Sequence, residues 1–151
     1  MNTMLRKYKL VAALAVAGAV GILASCSSMG PMSQMMYGQQ LALSGSNEVP
    51  AVTTSASGTG TVTINPDRTV SAKITVTGMT ATASHIHEGA AGTNGPVIVP
   101  FTKTDDNTFA APQGAKLTEA QYASYKAGNL YVNVHSAKNP GGEVRAQLKG
   151  S

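Results

Sequence analysis

Cysteine is almost absent from this chain: the 151 residues contain one, Cys26. A lone thiol can form no internal disulfide, so a folded domain must be stabilised by burial of apolar side chains instead. A soft metal site usually requires more than one thiolate, so Cys26 does not by itself predict such a site.

Aromatic and charged residues are also scarce, at 5% and 12% of the chain, and tryptophan is missing. With no cluster of lysine or arginine beyond the first residues, the electrostatic footprint of a nucleic-acid-binding protein is lacking, and we expect no nucleic acid partner. Cleavage before Cys26 would remove three of the 11 basic residues and none of the seven acidic ones, leaving a net charge of +1.

Residues 1–25 have the organisation of a secretory signal peptide. Met1–Lys9 carries three basic residues and no acid, and Leu10–Leu23 is almost wholly apolar. This apolar run of about 14 residues is shorter than the roughly 20 that a transmembrane helix needs, so we expect removal of the leader rather than a permanent span.

The end of the leader, Leu23-Ala24-Ser25-Cys26, resembles the lipobox of bacterial lipoproteins. The resemblance implies that Cys26 is lipidated and anchors the mature chain to a membrane; the alternative is an ordinary signal peptide with an incidental cysteine. Ser27 resembles the residue found in lipoproteins sorted to an outer membrane, which implies the periplasmic face of that membrane in a Gram-negative host. We therefore expect an exported, lipid-anchored protein.

Residues 26–39 predict a flexible tether, because glycine, proline and serine give them little tendency to form a helix. The tether is rich in methionine. Thioether sulfur is a soft ligand that suits Cu(I), so the four methionines are candidates for copper capture; the alternative is an accident of linker composition. They are Met29, Met32, Met35 and Met36.

Beyond residue 40 the hydrophobic pattern changes to a period of two. In the stretch from Val70 to Val76, apolar residues alternate with polar ones, which is typical of a strand with one buried face. The turn-forming residues 65–68 predict a hairpin with the preceding strand. The strands are predicted at Gln40–Ser44, residues 59–64, residues 69–77, Ala83–His87, Pro96–Phe101, Leu130–Ser136 and Glu143–Leu148.

This spacing predicts an all-β domain over residues 40–150, an antiparallel, Greek-key-like β-sandwich or barrel of about seven to eight strands. One short helix is expected near 118–127, because Thr118 and Gln121 have the spacing of a capping box. Asp105 and Asp106 lie in a stretch that predicts a turn, and we expect no catalytic role for them.

The three histidines fall in two of the predicted strands. His85 and His87 are two residues apart on one strand, so they face the same side about 6.6–7 Å apart and can converge on one ion. On the other strand, Leu130, Val132 and Val134 share the face that points to the core. His135 is an odd number of residues from each of them and so faces away from the core. Alternatively, the histidines are polar surface residues. A shared metal requires ring nitrogens within about 3–4 Å of one another.

Other polar residues are candidates for completing such a site. Glu88 follows directly after His87 and could be a fourth ligand. Asn139-Pro140-Gly141-Gly142 predicts a tight hairpin between the last two strands, which would bring Glu143 or Arg145 close to His135.

Three ordered blocks of the sequence resemble the CHRD domain, named from chordin and common in exported bacterial proteins. They are residues 43–50 (LSGSNEVP), residues 85–97 beginning His-Ile-His-Glu-Gly, and residues 131–145 (YVNVHSAKNPGGEVR). The resemblance covers about residues 40–150. It implies the fold, but the family has no agreed biochemical role to carry over.

A more distant likeness is to copper-zinc superoxide dismutases, which share the order of a His-x-His strand, a later valine-histidine strand and a Gly-Gly turn before an arginine. The resemblance implies that His85, His87 and His135 are copper ligands and that Arg145 guides an anion. The sequence departs from the dismutases because it has no bridging histidine, no zinc loop and no cysteine pair.

We therefore expect a non-enzymatic, membrane-anchored protein that binds one copper or zinc ion, copper being favoured. The competing hypothesis is a module that binds another envelope protein or matrix component. A copper-dependent redox enzyme is a minor third hypothesis.

Overall fold

The computed structural model describes residues 38–150. Within that range the chain forms nine β-strands and one α-helix, joined mainly by short turns. The strands are β1 (Gln39–Ser44), β2 (Ser57–Ile64), β3 (Val70–Thr77), β4 (Ala81–Glu88), β5 (Val97–Pro100), β6 (Thr102–Asp105), β7 (Thr108–Ala110), β8 (Leu130–Ser136) and β9 (Val144–Gln147), and the helix is α1 (Glu119–Lys126).

All nine strands belong to one antiparallel sheet in the order β5-β4-β8-β9-β1-β2-β3-β7-β6. The edge strands β5 and β6 are consecutive in the chain and are separated only by Phe101. The sheet must therefore curl until its two edges meet, and the result is a nearly closed barrel. Phe101 lies at this junction, and its backbone N–H donates to the carbonyl of Ser84 on β4.

The interior of the barrel is filled by the apolar members of the alternating strands. In β3, Val70, Ile74 and Val76 are buried while the residues between them are mostly exposed. β2 and β3 pair along eight residues through the turn at 65–68, so the predicted hairpin is confirmed. Burial of these aliphatic side chains is the main source of stability available to a domain whose described residues include no cysteine.

The helix begins after Thr118, whose side chain accepts a hydrogen bond from the backbone N–H of Gln121, while the Gln121 side chain accepts from the backbone N–H of Thr118. This reciprocal pair satisfies two donors that a helix start leaves free. Tyr125 is the buried residue of the helix and belongs to the core. The predicted helix is thus confirmed.

The seven predicted strands are all present, and two short ones, β6 and β7, are additional. The sequence did not predict β6 because its four residues, Thr-Lys-Thr-Asp, are all exposed and show no alternation of apolar and polar residues. Of the two aspartates predicted to lie in a turn, Asp105 ends β6 and Asp106 begins the turn to β7. The all-β class and the barrel are confirmed, with nine strands in the described residues rather than seven to eight.

Strand β8 is buried on both faces. Leu130, Val132 and Val134 point into the barrel, and the residues that alternate with them, Tyr131, Asn133 and His135, are also buried although they point outward. The outer side of β8 must therefore be covered by another layer of chain, and this layer forms the site described below.

The predicted signal peptide, the predicted lipidation site Cys26 and the methionines of the predicted tether lie outside the described residues. Among residues 38–150, no helix has the length and apolar character needed to cross a membrane.

Candidate metal centre

The outer face of the barrel brings the three histidines together. β4 and β8 are hydrogen-bonded neighbours, with His85 opposite Asn133, His87 opposite Tyr131, and His135 opposite Ala83. The sequence left this adjacency open. One ring nitrogen from each histidine lies within 4.8 Å of the others.

These separations are close to those of ligands on a single ion. Bonds of 2.0–2.1 Å in a tetrahedral site place the ligand nitrogens about 3.3 Å apart. Nδ1 of His85 and Nε2 of His135 are 3.0 Å apart, and the widest separation in the cluster, 4.8 Å, requires closure by about 1.5 Å. Binding of one ion by all three rings therefore requires a side-chain movement of that size.

Two loops lie over the histidines. Residues 89–96 connect β4 to β5, and residues 137–143 connect β8 to β9. His87 and His135 are buried under these loops with 7% and 9% of their surface exposed, whereas His85 is only partly buried. Solvent therefore reaches the cluster from the side of His85.

Backbone carbonyls orient two of the rings. Nδ1 of His87 lies 2.9 Å from the oxygen of Gly95, and Nδ1 of His135 lies 2.9 Å from the oxygen of Pro140. A carbonyl can only accept a hydrogen bond, so both Nδ1 atoms carry the proton and donate. In the neutral rings Nε2 is then left with a free lone pair, which is the arrangement that metal-binding histidines commonly show.

The Nε2 atom of His87 is buried without a hydrogen-bond partner. An unpaired buried acceptor costs free energy, and a metal ion in contact with this lone pair would remove that cost. Nε2 of His135 has one partner, Nδ1 of His85. Because His135 presents a lone pair here, His85 must donate this hydrogen bond.

All three imidazoles have pKa values below the ordinary value, with burial as the largest cause. For His85, burial together with the neighbouring His135 and His87 lowers the pKa to about 4. The rings are therefore neutral at pH 7, and their lone pairs are available without the loss of a proton to solvent.

Tyr131 supports His87 from the neighbouring strand. The two rings are stacked with centroids 4.9 Å apart and planes within 8° of parallel. On the other side, the guanidinium carbon of Arg145 lies 3.4 Å from the centroid of Tyr131. Since β8 lies between β4 and β9, Tyr131 separates the histidine from the arginine and fixes the His87 ring in its plane.

Arg145 holds the loop over the histidines. Its guanidinium donates to the carbonyl of Thr93 at 2.8 Å and to Oδ1 of Asn94 at 3.2 Å, with longer contacts to Ala90 and Gln147. It is 2% exposed. Its charge is thus used to position the loop of residues 89–96 rather than displayed to solvent, which differs from the anion guide that the dismutase likeness implied.

Comparison of the sequence with models of protein families gives a match to the CHRD domain over residues 40–148. The chain belongs to the CHRD domain family. The match spans every strand described above except the first residue of β1, and it includes the three histidines. No curated protein and no solved structure matches the chain.

Glu88 of this CHRD domain does not join the histidines. It follows His87 on β4 and so lies on the opposite face, where its carboxylate accepts a hydrogen bond from the hydroxyl of Ser124 on α1. The structure therefore places this predicted fourth ligand against the helix.

Glu143 is also held away from the cluster. Its carboxylate accepts hydrogen bonds from the hydroxyls of Thr54, at 2.7 Å, and Ser136. Burial by itself would raise the pKa of Glu143, but these hydrogen bonds outweigh it and the pKa is lowered. The carboxylate thus braces the loop of residues 137–143 against residue 54.

Two polar residues of the CHRD domain that were not predicted as site residues lie beside the histidines. Asn133 is 2% exposed and Glu48 is 6% exposed. Burial raises the pKa of Glu48 to about 7, although Arg145 and Asn133 act to lower it. Strand parity could have identified Asn133, because it lies two residues before His135 and therefore on the same face of β8. Glu48 reaches the site from a loop that lies 85 residues before Asn133 in the chain, and no local pattern marks it.

Proposed function

We propose that this CHRD-domain protein is an exported, membrane-anchored lipoprotein that binds one transition metal ion through His85, His87 and His135. The observation that carries the proposal is the orientation of the rings. Two Nδ1–H groups donate to backbone carbonyls, so two Nε2 lone pairs are directed into one small volume, and that of His87 has no protein partner.

The chemistry of the donors supports a borderline divalent ion. Imidazole suits copper and zinc, and copper stands highest in the affinity order of the divalent first-row metals. We therefore favour copper, with zinc as the second choice. The methionines at 29, 32, 35 and 36 would add soft ligands for Cu(I) near the anchored end of the chain.

The decisive experiment is a calorimetric titration of the full-length protein with Cu(II) and with Zn(II), beside the variant His85→Ala/His87→Ala/His135→Ala. We expect one ion per chain and a loss of at least 100-fold in affinity in the variant, because all imidazole ligands are removed. Equal and weak binding by both proteins would refute the metal site and favour the alternative, a module that binds another protein of the envelope.

Export and anchoring have their own test. Metabolic labelling with a fatty acid should mark the full-length protein and not the variant Cys26→Ser. A labelled Cys26→Ser protein, or an unlabelled native one, would contradict lipidation at this position.

A further inference from the structure

Buried polar atoms without hydrogen-bond partners are rare in folded proteins, and in this domain they cluster. Among the described side chains four such atoms remain, and three of them are Nε2 of His87, Oδ1 of Asn133 and Oε1 of Glu48. All three residues are more than nine-tenths buried. His87 and Asn133 lie on the outer faces of β4 and β8, and Glu48 lies beside Asn133 at Gly142, so the three atoms call for a single explanation.

The orientation of the Asn133 amide follows from its neighbours. Nδ2 donates to the carbonyl of Gly141 at 3.4 Å and faces the carboxylate of Glu48. A Cβ atom at Gly142 would lie 2.6 Å from this Nδ2 and 2.5 Å from Oε1 of Glu48, which shows how closely the two groups approach. Because the carbonyl of Gly141 can only accept a hydrogen bond, the amino group must point towards it, and Oδ1 points away.

The opposite side of the amide faces the histidines. Asn133 is directly opposite His85 in the sheet and lies beside the ring of His87. Nε2 of His87 carries a lone pair, because its Nδ1 donates to Gly95. Oδ1 of Asn133 carries only lone pairs as well. Two acceptors therefore face the same volume in a buried place with no protein donor between them.

Two facing lone pairs repel one another, and a cation bound to both removes the repulsion. We propose that Oδ1 of Asn133 is the fourth protein ligand of the metal centre, which makes it a site of three imidazole nitrogens and one amide oxygen. This inference rests on the proposed function of the histidines. Glu48 and Gly141 are then positioning groups that hold the amide oxygen towards the ion.

The oxygen donor restricts the class of metal. Carbonyl oxygen is a hard ligand, and four ligands of this kind suit the tetrahedral preference of Zn(II) and are acceptable to Cu(II). Cu(I) gains little from an amide oxygen. The site in the barrel is therefore specialised for a divalent ion, and any Cu(I) binding belongs to the methionines of the tether.

The test compares the full-length protein with Asn133→Ala, Asn133→Asp and, as a control for the charge, Asn107→Asp in the turn between β6 and β7. Zn(II) affinity is measured by competition with a chelator, and Co(II) is used as a spectroscopic probe of coordination. Thermal unfolding in the absence of metal reports whether each variant is folded.

We expect Asn133→Ala to bind Zn(II) about 10- to 100-fold more weakly and to show an altered Co(II) absorption spectrum at saturating metal. Asn133→Asp, which supplies a charged oxygen at the same place, should bind Zn(II) at least as tightly as the native protein. Asn107→Asp should change neither quantity. If Asn133→Ala proves unfolded, the Co(II) spectrum of Asn133→Asp still decides, because a carboxylate ligand shifts the bands and a distant charge does not.

An unchanged Zn(II) affinity and an unchanged Co(II) spectrum in Asn133→Ala would overturn the inference and leave the three-histidine site intact. Absence of Zn(II) and Co(II) binding by the native protein would overturn both. The two failures are thus distinguished by the native protein alone.

Discussion

His85 and His135 are joined by a hydrogen bond of 3.0 Å between Nδ1 of the first ring and Nε2 of the second. The proton of this bond belongs to His85, because His135 uses its own Nδ1–H to donate to Pro140. A metal ion that binds both nitrogens must displace this proton. In the metal-free protein, the hydrogen bond therefore holds the two nitrogens together where the ion would bind.

This relationship predicts the tautomers of all three rings. In metal-free protein at pH 7, nitrogen-15 NMR of the imidazoles should show neutral rings protonated at Nδ1. Addition of Zn(II) should leave His87 and His135 in that tautomer and move the proton of His85 to its Nε2. A His85 signal that does not change with Zn(II) would contradict coordination through Nδ1.

Glu48 predicts a dependence of stability on pH. Its pKa in the folded protein is raised to about 7 from an ordinary 4.5, so its contribution to stability is fully present below about pH 4.5 and is lost as the pH rises through 7. Glu48→Gln removes the charge, and we expect its free energy of unfolding to exceed that of the native protein by up to about 3 kcal/mol at pH 8.5.

At pH 4.5 the two proteins should have nearly the same stability, because the carboxyl group is then protonated in the folded state and about half protonated in the unfolded state. Urea unfolding of metal-free protein at the two pH values measures the difference. The matched control is Asp106→Asn in the exposed turn after β6, which should show no such difference. A Glu48→Gln variant that is less stable than native protein at pH 8.5 would show that the charged form is the favoured one.

Two adjacent glycines, Gly141 and Gly142, test whether close packing of the loop over the histidines matters for stability and metal binding. Gly142 has a φ of 132°, and a Cβ atom there would meet Glu48 and Asn133 within 2.6 Å, whereas at Gly141 a Cβ atom would meet nothing within 4 Å. Gly142→Ala should lose about 1–3 kcal/mol of stability and weaken metal binding, because it displaces Asn133.

Gly141→Ala should fold with a stability within about 0.5 kcal/mol of the native protein and bind metal normally. Thermal unfolding and Zn(II) titration of the two variants side by side provide the measurement. Equal effects of the two substitutions would mean that crowding at residue 142 is unimportant.

The predicted tether leads us to expect a difference between Cu(I) and Zn(II) binding. Replacement of Met29, Met32, Met35 and Met36 by leucine keeps the bulk of the side chains but removes the thioether sulfur. We expect Cu(I) affinity of the full-length protein to fall at least 10-fold and Zn(II) affinity to remain unchanged, since zinc has little preference for thioethers. Unchanged Cu(I) affinity would show that the methionines do not bind copper. Loss of Zn(II) affinity would show that their effect is not specific for Cu(I).

Much of the fold could be predicted because its causes are local. Alternation in β3 and β8 follows from the pleat of a strand, and the helix start follows from Thr118 and Gln121. β6 could not be predicted, since its four residues are all exposed and it is a strand only because β7 provides its hydrogen bonds.

The candidate site, like the fold, could be predicted from the sequence only in part. The sequence by itself determined that His85 and His87 share a face and that His135 points away from the barrel core, because strand parity is a property of a few consecutive residues. Only the tertiary structure decided that β4 lies beside β8, that two loops bury the rings, and that Asn133, rather than Glu88 or Glu143, lies next to them. Those relationships depend on the pairing of segments far apart in the chain, and no local pattern encodes which strands become neighbours when a sheet closes.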